Sequence, residues 1–448
     1  MFRYPHKVLL VVLACVALTA GAMCQEEIEY PAVLSIVRME PADQETYVST
    51  TPTIRITFSR PVDPPTLQGD FQPTTTDFSQ DWSNNNTVLT VRLTGPLTPD
   101  TTYLVSIVDI FDMGGQGLSN PQSSCFSTGA TLDCPDFSCE PYDATDGFVP
   151  TVASVDYERP FGDASPWNTP IPDDPTIASD SDIMIARFAE THAQFGGMWV
   201  AVWQNAVPIY FAEEDTPRYD VSLSDPNPGL PDILSQMPIP DHALPDCGFD
   251  RLMVTLDRST DTYYEVNRAQ KTGNVWYAST GNSIDGSSAS GIYPSNSERS
   301  AQGIRASGSS LAAGVIWPQE LRDEHINHAL AIGYTYIRTG GPVAPFAASD
   351  GQFDDPAAMP MGSRLQLDPS LDLTALGLAP WEMTIAVALQ EYGAYIVDSA
   401  GGINIAALHV HSFEGNPYDG LLPDTILLEG GAVLNVLPVD RFRVVAPE

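Results

Sequence analysis

The sequence predicts a mainly β chain, a small antiparallel β-sandwich followed by a larger β-sandwich or jelly-roll-like domain with a few helices. Three observations predict it. Short apolar runs of period two recur between Gly, Pro, Asn and Asp clusters, the signature of half-buried strands joined by turns. Only two stretches carry helical spacing. The chain has 448 residues, too many for one core at roughly 150 residues per domain.

The first module spans about residues 31–129. Ile54, Ile56 and Phe58 alternate with Arg55, Thr57 and Ser59. Leu89, Val91 and Leu93 alternate in the same way, as do Tyr103, Val105 and Ile107. Pro61-Val62-Asp63-Pro64, Asn84-Asn85-Asn86 and Gly114-Gly115 supply turn chemistry between them. Several short strands within about 100 residues suit a sandwich. Four segments in order carry a resemblance: Pro41-Ala42-Asp43, Ile56 to Asp63, Leu97 to Tyr103 and Cys125-Phe126-Ser127-Thr128-Gly129. Together they resemble bacterial Ig-like domains of the surface-layer type. That resemblance implies an Ig-like sandwich acting as spacer or adhesive unit, without catalysis.

The second domain spans about residues 151–448, after a linker at 130–150 rich in Asp, Pro and Cys. Ser181 to Phe195 reads as a helix with Ile185, Phe188, Ala189 and His192 at helical spacing. Pro380 to Gly393 reads as a second, with a tolerated first-turn proline and a glycine stop. Leu252, Val254 and Leu256, then Tyr263 to Val266, read as a hairpin. Tyr395 to Asp398 and Ile403 to Ile405 read as strands about a Ser399–Gly402 turn. No alternation of strands with long helices supports a parallel α/β sheet. Gly303 to Gly308, Ile326 to Leu330, Met361 to Leu367 and Leu389 to Gly393, with Tyr264-Glu265 and Trp276, resemble a family of secreted bacterial proteins without an assigned activity. That family suggests a histidine just after Asp250, where this chain has Arg251 and Leu252.

Residues 1–22 read as an export signal. Arg3, His6 and Lys7 precede an apolar run of 11 residues from Val8 to Leu18, and Ala20-Gly21-Ala22 precedes the expected cut. That run is short of the roughly 20 residues a bilayer span needs, so no membrane insertion is expected after signal removal. Cys125, Cys134, Cys139 and Cys247 then remain as disulfide candidates in an oxidising compartment, with three connectivities open. The expected location is secreted or cell-surface, extracellular or periplasmic. The net charge of −37, with Lys7 and Lys271 as the only lysines, opposes nucleic acid and anionic membranes as partners. Oligomeric state has no signature.

Candidate chemistry falls on a few residues. His328 shares a face with Ile326, Leu330 and Ile332; it is read either as a core histidine or as a cleft acid or base. Arg305, His328 and Tyr264 would serve a lyase, which needs a base and a cation for a uronate carboxyl. Glu265 with Asp285 or Asp350 would serve a hydrolase, which needs two carboxylates across the scissile bond. Asp257 and Asp398 also stand at expected strand ends. Trp203, Trp276 and Arg364 are candidate substrate contacts, and Trp167 and Trp199 are further aromatics for stacking on sugar rings. His409 and His411, expected on one strand face, form a weak metal pair without a third ligand nearby. No cofactor is implied, although Asp350 to Asp355 is an oxygen-rich loop suited to structural calcium. The expected partner is an extracellular glycan, met by a hydrolase or lyase. The alternative is a non-catalytic adhesion protein that binds glycan or protein.

Overall fold

The computed structural model describes residues 34–130 and 157–447, apart from 43–44, 73–77, 115–116, 119–121, 158, 204, 225–230, 247, 249, 273–274, 287–289, 294–302, 414–415 and 424–430. The expected signal at 1–22, nearly all of the 130–150 linker, Cys134, Cys139 and Cys247 lie outside the described residues. Cys125 is disulfide-bonded. The chain divides into two compact units, residues 1–132 and 133–448.

The first unit holds β1 (Ile36–Glu40), β2 (Thr53–Phe58), β3 (Gln68–Gln72), β4 (Phe78–Ser83), β5 (Val88–Leu93), β6 (Thr102–Asp109) and β7 (Gln122–Ser127). They form two sheets, β1-β2-β5-β4 and β3-β6-β7. The alternating residues of β2, β5 and β6 point inward as their period demands. Ile54, Ile56, Phe58, Leu89, Tyr103, Val105 and Ile107 share one core. The Tyr103 hydroxyl accepts the Thr98 N–H at 2.8 Å, which ties the Thr98-Pro99-Asp100 turn to that core.

The second unit begins with α1 (Ser181–Phe195), followed by β8 (Met198–Ala201), β9 (Ile209–Ala212), β10 (Arg218–Leu223), β11 (Ile233–Pro238), β12 (Met253–Asp257) and β13 (Thr262–Asn267). Next come β14 (Gln270–Thr272), β15 (Val275–Ala278), β16 (Thr280–Asp285), α2 (Pro318–Arg322), β17 (Leu330–Tyr334) and β18 (Arg364–Leu367). It closes with α3 (Pro380–Glu391), β19 (Ala394–Ser399), β20 (Ile403–Ala406), β21 (Gly431–Leu434) and β22 (Phe442–Val445). Three sheets result: β21-β8-β20-β17-β19-β18-β22, β16-β13-β12-β9 and β11-β10-β15-β14. Both expected helices and the expected β12–β13 hairpin form.

The layers follow from which face each residue presents. On β17 and β19, Leu330, Ile332, Tyr334, Ala394 and Ile396 join α1 and α3 in one core. Ala331, Tyr395 and Val397 point the other way, into a core shared with Val254, Leu256 and Tyr263 of the second sheet. The largest sheet is therefore buried on both faces, and its central strands carry apolar residues on both. A further core, with Tyr210, Met253, Val266, Val221 and Trp276, joins the second sheet to the third. The second domain is mainly β, with one departure from the strand reading. β17 and β19 run parallel, as do β8 and β20, β9 and β12, and β10 and β15, and α3 lies in the connection to β19. A single short helix in a crossover leaves no repeating strand–helix pattern to read.

Gly314 shows how tightly these layers close. Its φ is +69°, and a Cβ there would lie 2.5 Å from the Trp167 ring and 2.7 Å from the Ala331 nitrogen. Gly314→Ala is expected to cost about 2–4 kcal/mol, from the left-handed backbone and the overlap together. A urea unfolding curve of the full chain measures it; a loss below about 0.5 kcal/mol, the size of an ordinary surface change, rejects this packing.

Candidate functional site

The site forms where β19 ends beside β17. Ile332 pairs with Ile396, but Gly333 pairs with Asp398, so Val397 is an extra residue in β19. Such a bulge re-aims the next side chain and is common beside active sites. Here it delivers Asp398 at the carboxyl end of a parallel pair, the place where open sheets take ligands. Gly333 leaves room, since a Cβ there would press on the Ala400 Cβ at 2.9 Å.

Two loops close on Asp398. The 340s loop brings Asp350, whose Oδ2 accepts from the Ser399 hydroxyl at 2.6 Å. Asp398 Oδ1 accepts from the Ser399 N–H at 3.1 Å and faces the Ala306 N–H at 3.4 Å. The two carboxyl groups thus meet on Ser399, and both are half-buried. Asp350 Oδ1 makes no hydrogen bond. Burial pushes Asp398 well above the usual carboxylate range, and Asp350 and Asp250 add to the rise; Arg305 and the Ala306 N–H oppose it. Burial also raises Asp350, against the Ser399 hydroxyl. The charge of Asp350 therefore disfavours ionisation of Asp398.

The second loop, residues 303–313, brings Arg305. It is 5% exposed. Its guanidinium donates to the Ala313 carbonyl at 3.0 Å and the Leu311 carbonyl at 3.1 Å. Burial lowers it to about 10, with Asp398 and Glu265 pulling the other way. Glu265 is 0% exposed. Its Oε1 accepts from the Ser310 hydroxyl and from the Leu311 N–H at 2.9 Å, and the Tyr293 hydroxyl lies beside it.

The structure thus brings Asp350, Arg305 and Glu265 into one neighbourhood and leaves the other candidates elsewhere. Tyr264 points from the opposite face of β13, packing on the third-sheet core beside Arg218. Asp285 is exposed at the end of β16. His328 is 2% exposed and stands before β17, where Nδ1 donates to the Ala329 carbonyl at 2.9 Å and Nε2 lies 3.1 Å from Glu320. The lyase set of Arg305, His328 and Tyr264 is therefore not assembled. Trp203 and Trp276 are 6% and 3% exposed, and Trp167 is 1% exposed, so none offers a ring to a sugar in solvent. Arg364 donates to the Tyr392 and Thr169 carbonyls and lies over the Tyr395 ring, which places it as a packing residue. Asp257 is held by Arg218 at 2.6 Å and by Ser259.

The metal expectations also meet geometry. His411 lies in a 3-10 turn rather than a strand. His409 Nδ1 accepts the His411 N–H at 3.0 Å, so Nε2 carries the proton of the neutral ring and has no lone pair for an ion. Asp246 Oδ1 faces that nitrogen at 3.7 Å. In the oxygen-rich loop, Asp355 turns to Arg187 at 3.4 Å while Asp350 turns to Ser399. Among the described residues no three His, Cys, Asp or Glu side chains are placed to hold an ion.

Sequence reasoning passed over Asp398 as one acid among several at strand ends, and Asp250 as a landmark. A signal for Asp398 was present: an acid closing the apolar run Tyr395-Ile396-Val397 just before a glycine pair. A shallow hollow of about 360 Å³ lies on the first unit between Thr51–Thr53 and Arg92–Pro96, with neither carboxylate nor histidine in its lining. No described helix is long and apolar enough to cross a membrane.

No curated protein matches this chain. Among solved structures, L,D-transpeptidase 3 from Mycobacterium tuberculosis is similar at 18% identity over 21% of this chain and 37% of its own, with a TM-score of 0.16. Domains 1–6 of the surface layer protein SbsC are similar at 19% identity over 22% of this chain and 14% of their own, with a TM-score of 0.17. CopC from Methylosinus trichosporium OB3b is similar at 12% identity over 21% of this chain and 90% of its own, with a TM-score of 0.18. The chain thus spans well under two thirds of the transpeptidase it matches. The family match stops short of the large unit, so the resemblance read there has no counterpart in it. Residues 31–128 match the bacterial Ig-like domain family.

Proposed function

We propose that this protein works outside the plasma membrane, and that its large unit hydrolyses an uncharged extracellular polysaccharide while the Ig-like module spaces or anchors it. The observation that carries the reading is the meeting of Asp350 and Asp398 on Ser399, half-buried at the end of a parallel strand pair. One carboxyl that keeps its proton and one that loses it are the two parts glycoside hydrolysis requires. Asp398 is the general acid, and Asp350 is the ionised partner, held by the Ser399 hydroxyl. The uncharged substrate follows from the cations. Among the described residues the cation beside Asp398, Arg305, is buried and already donates to two carbonyls, which favours a substrate without a carboxylate of its own.

A panel of polysaccharides incubated with the full chain tests this, read by reducing ends and by the absorbance of unsaturated uronates. Reducing ends from a neutral polymer are expected. Unsaturated products would reject hydrolysis, and binding without any release would favour an adhesion protein. The pH dependence has a definite sign. Release falls as pH rises through the raised value of Asp398, because the acid loses its proton, and falls at low pH as Asp350 gains one. A kcat/KM profile that is flat from pH 4 to pH 9 would remove both groups from the chemistry (roughly the span over which perturbed carboxyls titrate).

A further inference from the structure

Glu265 is too enclosed to touch a substrate, yet its contacts lead directly to Asp398. One oxygen holds both the Ser310 hydroxyl and the Leu311 N–H, the latter at 2.9 Å. Those residues lie on the same loop as Arg305, whose guanidinium clasps that loop through the Leu311 carbonyl at 3.1 Å and the Ala313 carbonyl at 3.0 Å. The loop doubles back tightly, since a Cβ on Gly303 would lie 2.8 Å from the Gly308 carbonyl carbon. Its other end is sewn to β19. The Ser307 N–H donates to the Val397 carbonyl at 3.0 Å, and the Ala306 N–H faces Asp398 Oδ1 at 3.4 Å. The loop is therefore a short rigid bridge, with Glu265 of the second sheet at one end and the bulge of the largest sheet at the other.

We infer that Glu265 is a positioning residue: by pinning residues 310–311 it holds Arg305 and the Ala306 N–H against Asp398. This rests on the reading of Asp398 as the general acid. A carboxylate is suited to the task because a charged acceptor makes stronger hydrogen bonds than a neutral one. Burial raises Glu265, but the Ser310 and Leu311 donors and Arg305 pull it toward the charged form, so it gives the buried guanidinium an anion while Asp398 keeps its proton. A charge acting on Asp398 only through space would move its titration the same way whether Glu265 became Gln or Ala.

The experiment follows the Asp398 carboxyl by carbon-13 NMR in aspartate-labelled full chain, assigned by difference from Asp398→Asn. It needs no substrate, so its outcome is separate from whether any polysaccharide is cut. Glu265→Gln keeps an oxygen for the Ser310 and Leu311 donors but removes the charge, so the guanidinium of Arg305 favours the ionised form of Asp398 more strongly. The Asp398 titration is expected to move down by roughly one unit. Glu265→Ala removes the pin, Arg305 drifts off, and the titration is expected to move up. Ser310→Ala, which removes one of the two donors, is expected to move it up by less and stands in if Glu265→Ala does not fold. Opposite movements support the inference. An Asp398 titration that stays in place in Glu265→Gln overturns it, as does movement in the same direction in both classes of variant.

Discussion

Asp398→Asn is expected to lower the rate of polysaccharide hydrolysis by about 10²–10⁴-fold, the usual contribution of a positioned general acid. Asparagine matches the shape of the acid and can still accept from the Ser399 and Ala306 N–H groups, which lie 3.1 and 3.4 Å from Oδ1. The fold should therefore stand, and the loss should appear in kcat more than in KM. Asp350→Asn is expected to be equally damaging, because it removes the ionised partner. The two effects should not add, since acid and ionised partner act as a unit. Substrates with a leaving group too good to need protonation should regain much of their rate in Asp398→Asn and little in Asp350→Asn. Full activity in Asp398→Asn on an ordinary polysaccharide would rule the site out.

The residues of this site illustrate what periodicity can reveal and what it cannot. Alternation in Ile54-Ile56-Phe58 and Tyr103-Val105-Ile107 announces which side chains face inward, and each of them lies in the core. Helical spacing locates α1 and α3 because each needs one apolar face against the same sheet. Period two says nothing about which strand lies alongside. The parallel partnership of β17 and β19 joins segments more than 60 residues apart, and no local pattern encodes it. The extra residue Val397 is equally silent, although it decides where Asp398 points. Asp250, Asp350 and Asp398 become one electrostatic group only after that pairing is made. The tryptophans failed as surface contacts for a related reason. Large aromatics yield the most on burial, and Trp203 and Trp276 are drawn inside wherever the layers leave room.

His328 makes the second large prediction, on stability rather than catalysis. Its Nδ1 faces the Ala329 carbonyl at 2.9 Å, which can only accept, so Nδ1 carries a proton. Its Nε2 faces the Glu320 carboxyl at 3.1 Å, so one further proton lies between the two side chains. Burial alone would pull His328 down, but the charge and hydrogen bond of Glu320, with the Ala329 carbonyl, outweigh it and the net direction is up. Glu320 also accepts the Trp317 N–H at 2.9 Å, at the start of α2. Glu320→Ala strands a buried imidazole and a buried N–H together, and is expected to cost about 3–5 kcal/mol in urea unfolding. Glu320→Leu with His328→Leu removes both charges and should recover much of that loss, as apolar replacements of buried pairs often do. A raised imidazole gives stability that is complete below its unfolded value near 6.5 and is lost as pH rises through the folded value. The wild-type chain should therefore lose this contribution on the alkaline side, and the double variant should not. His328→Ala, once folded, should retain its hydrolytic rate, because its partners are Glu320 and Ala329 rather than the Asp398 group. Loss of that rate without loss of structure would restore His328 as a catalytic residue.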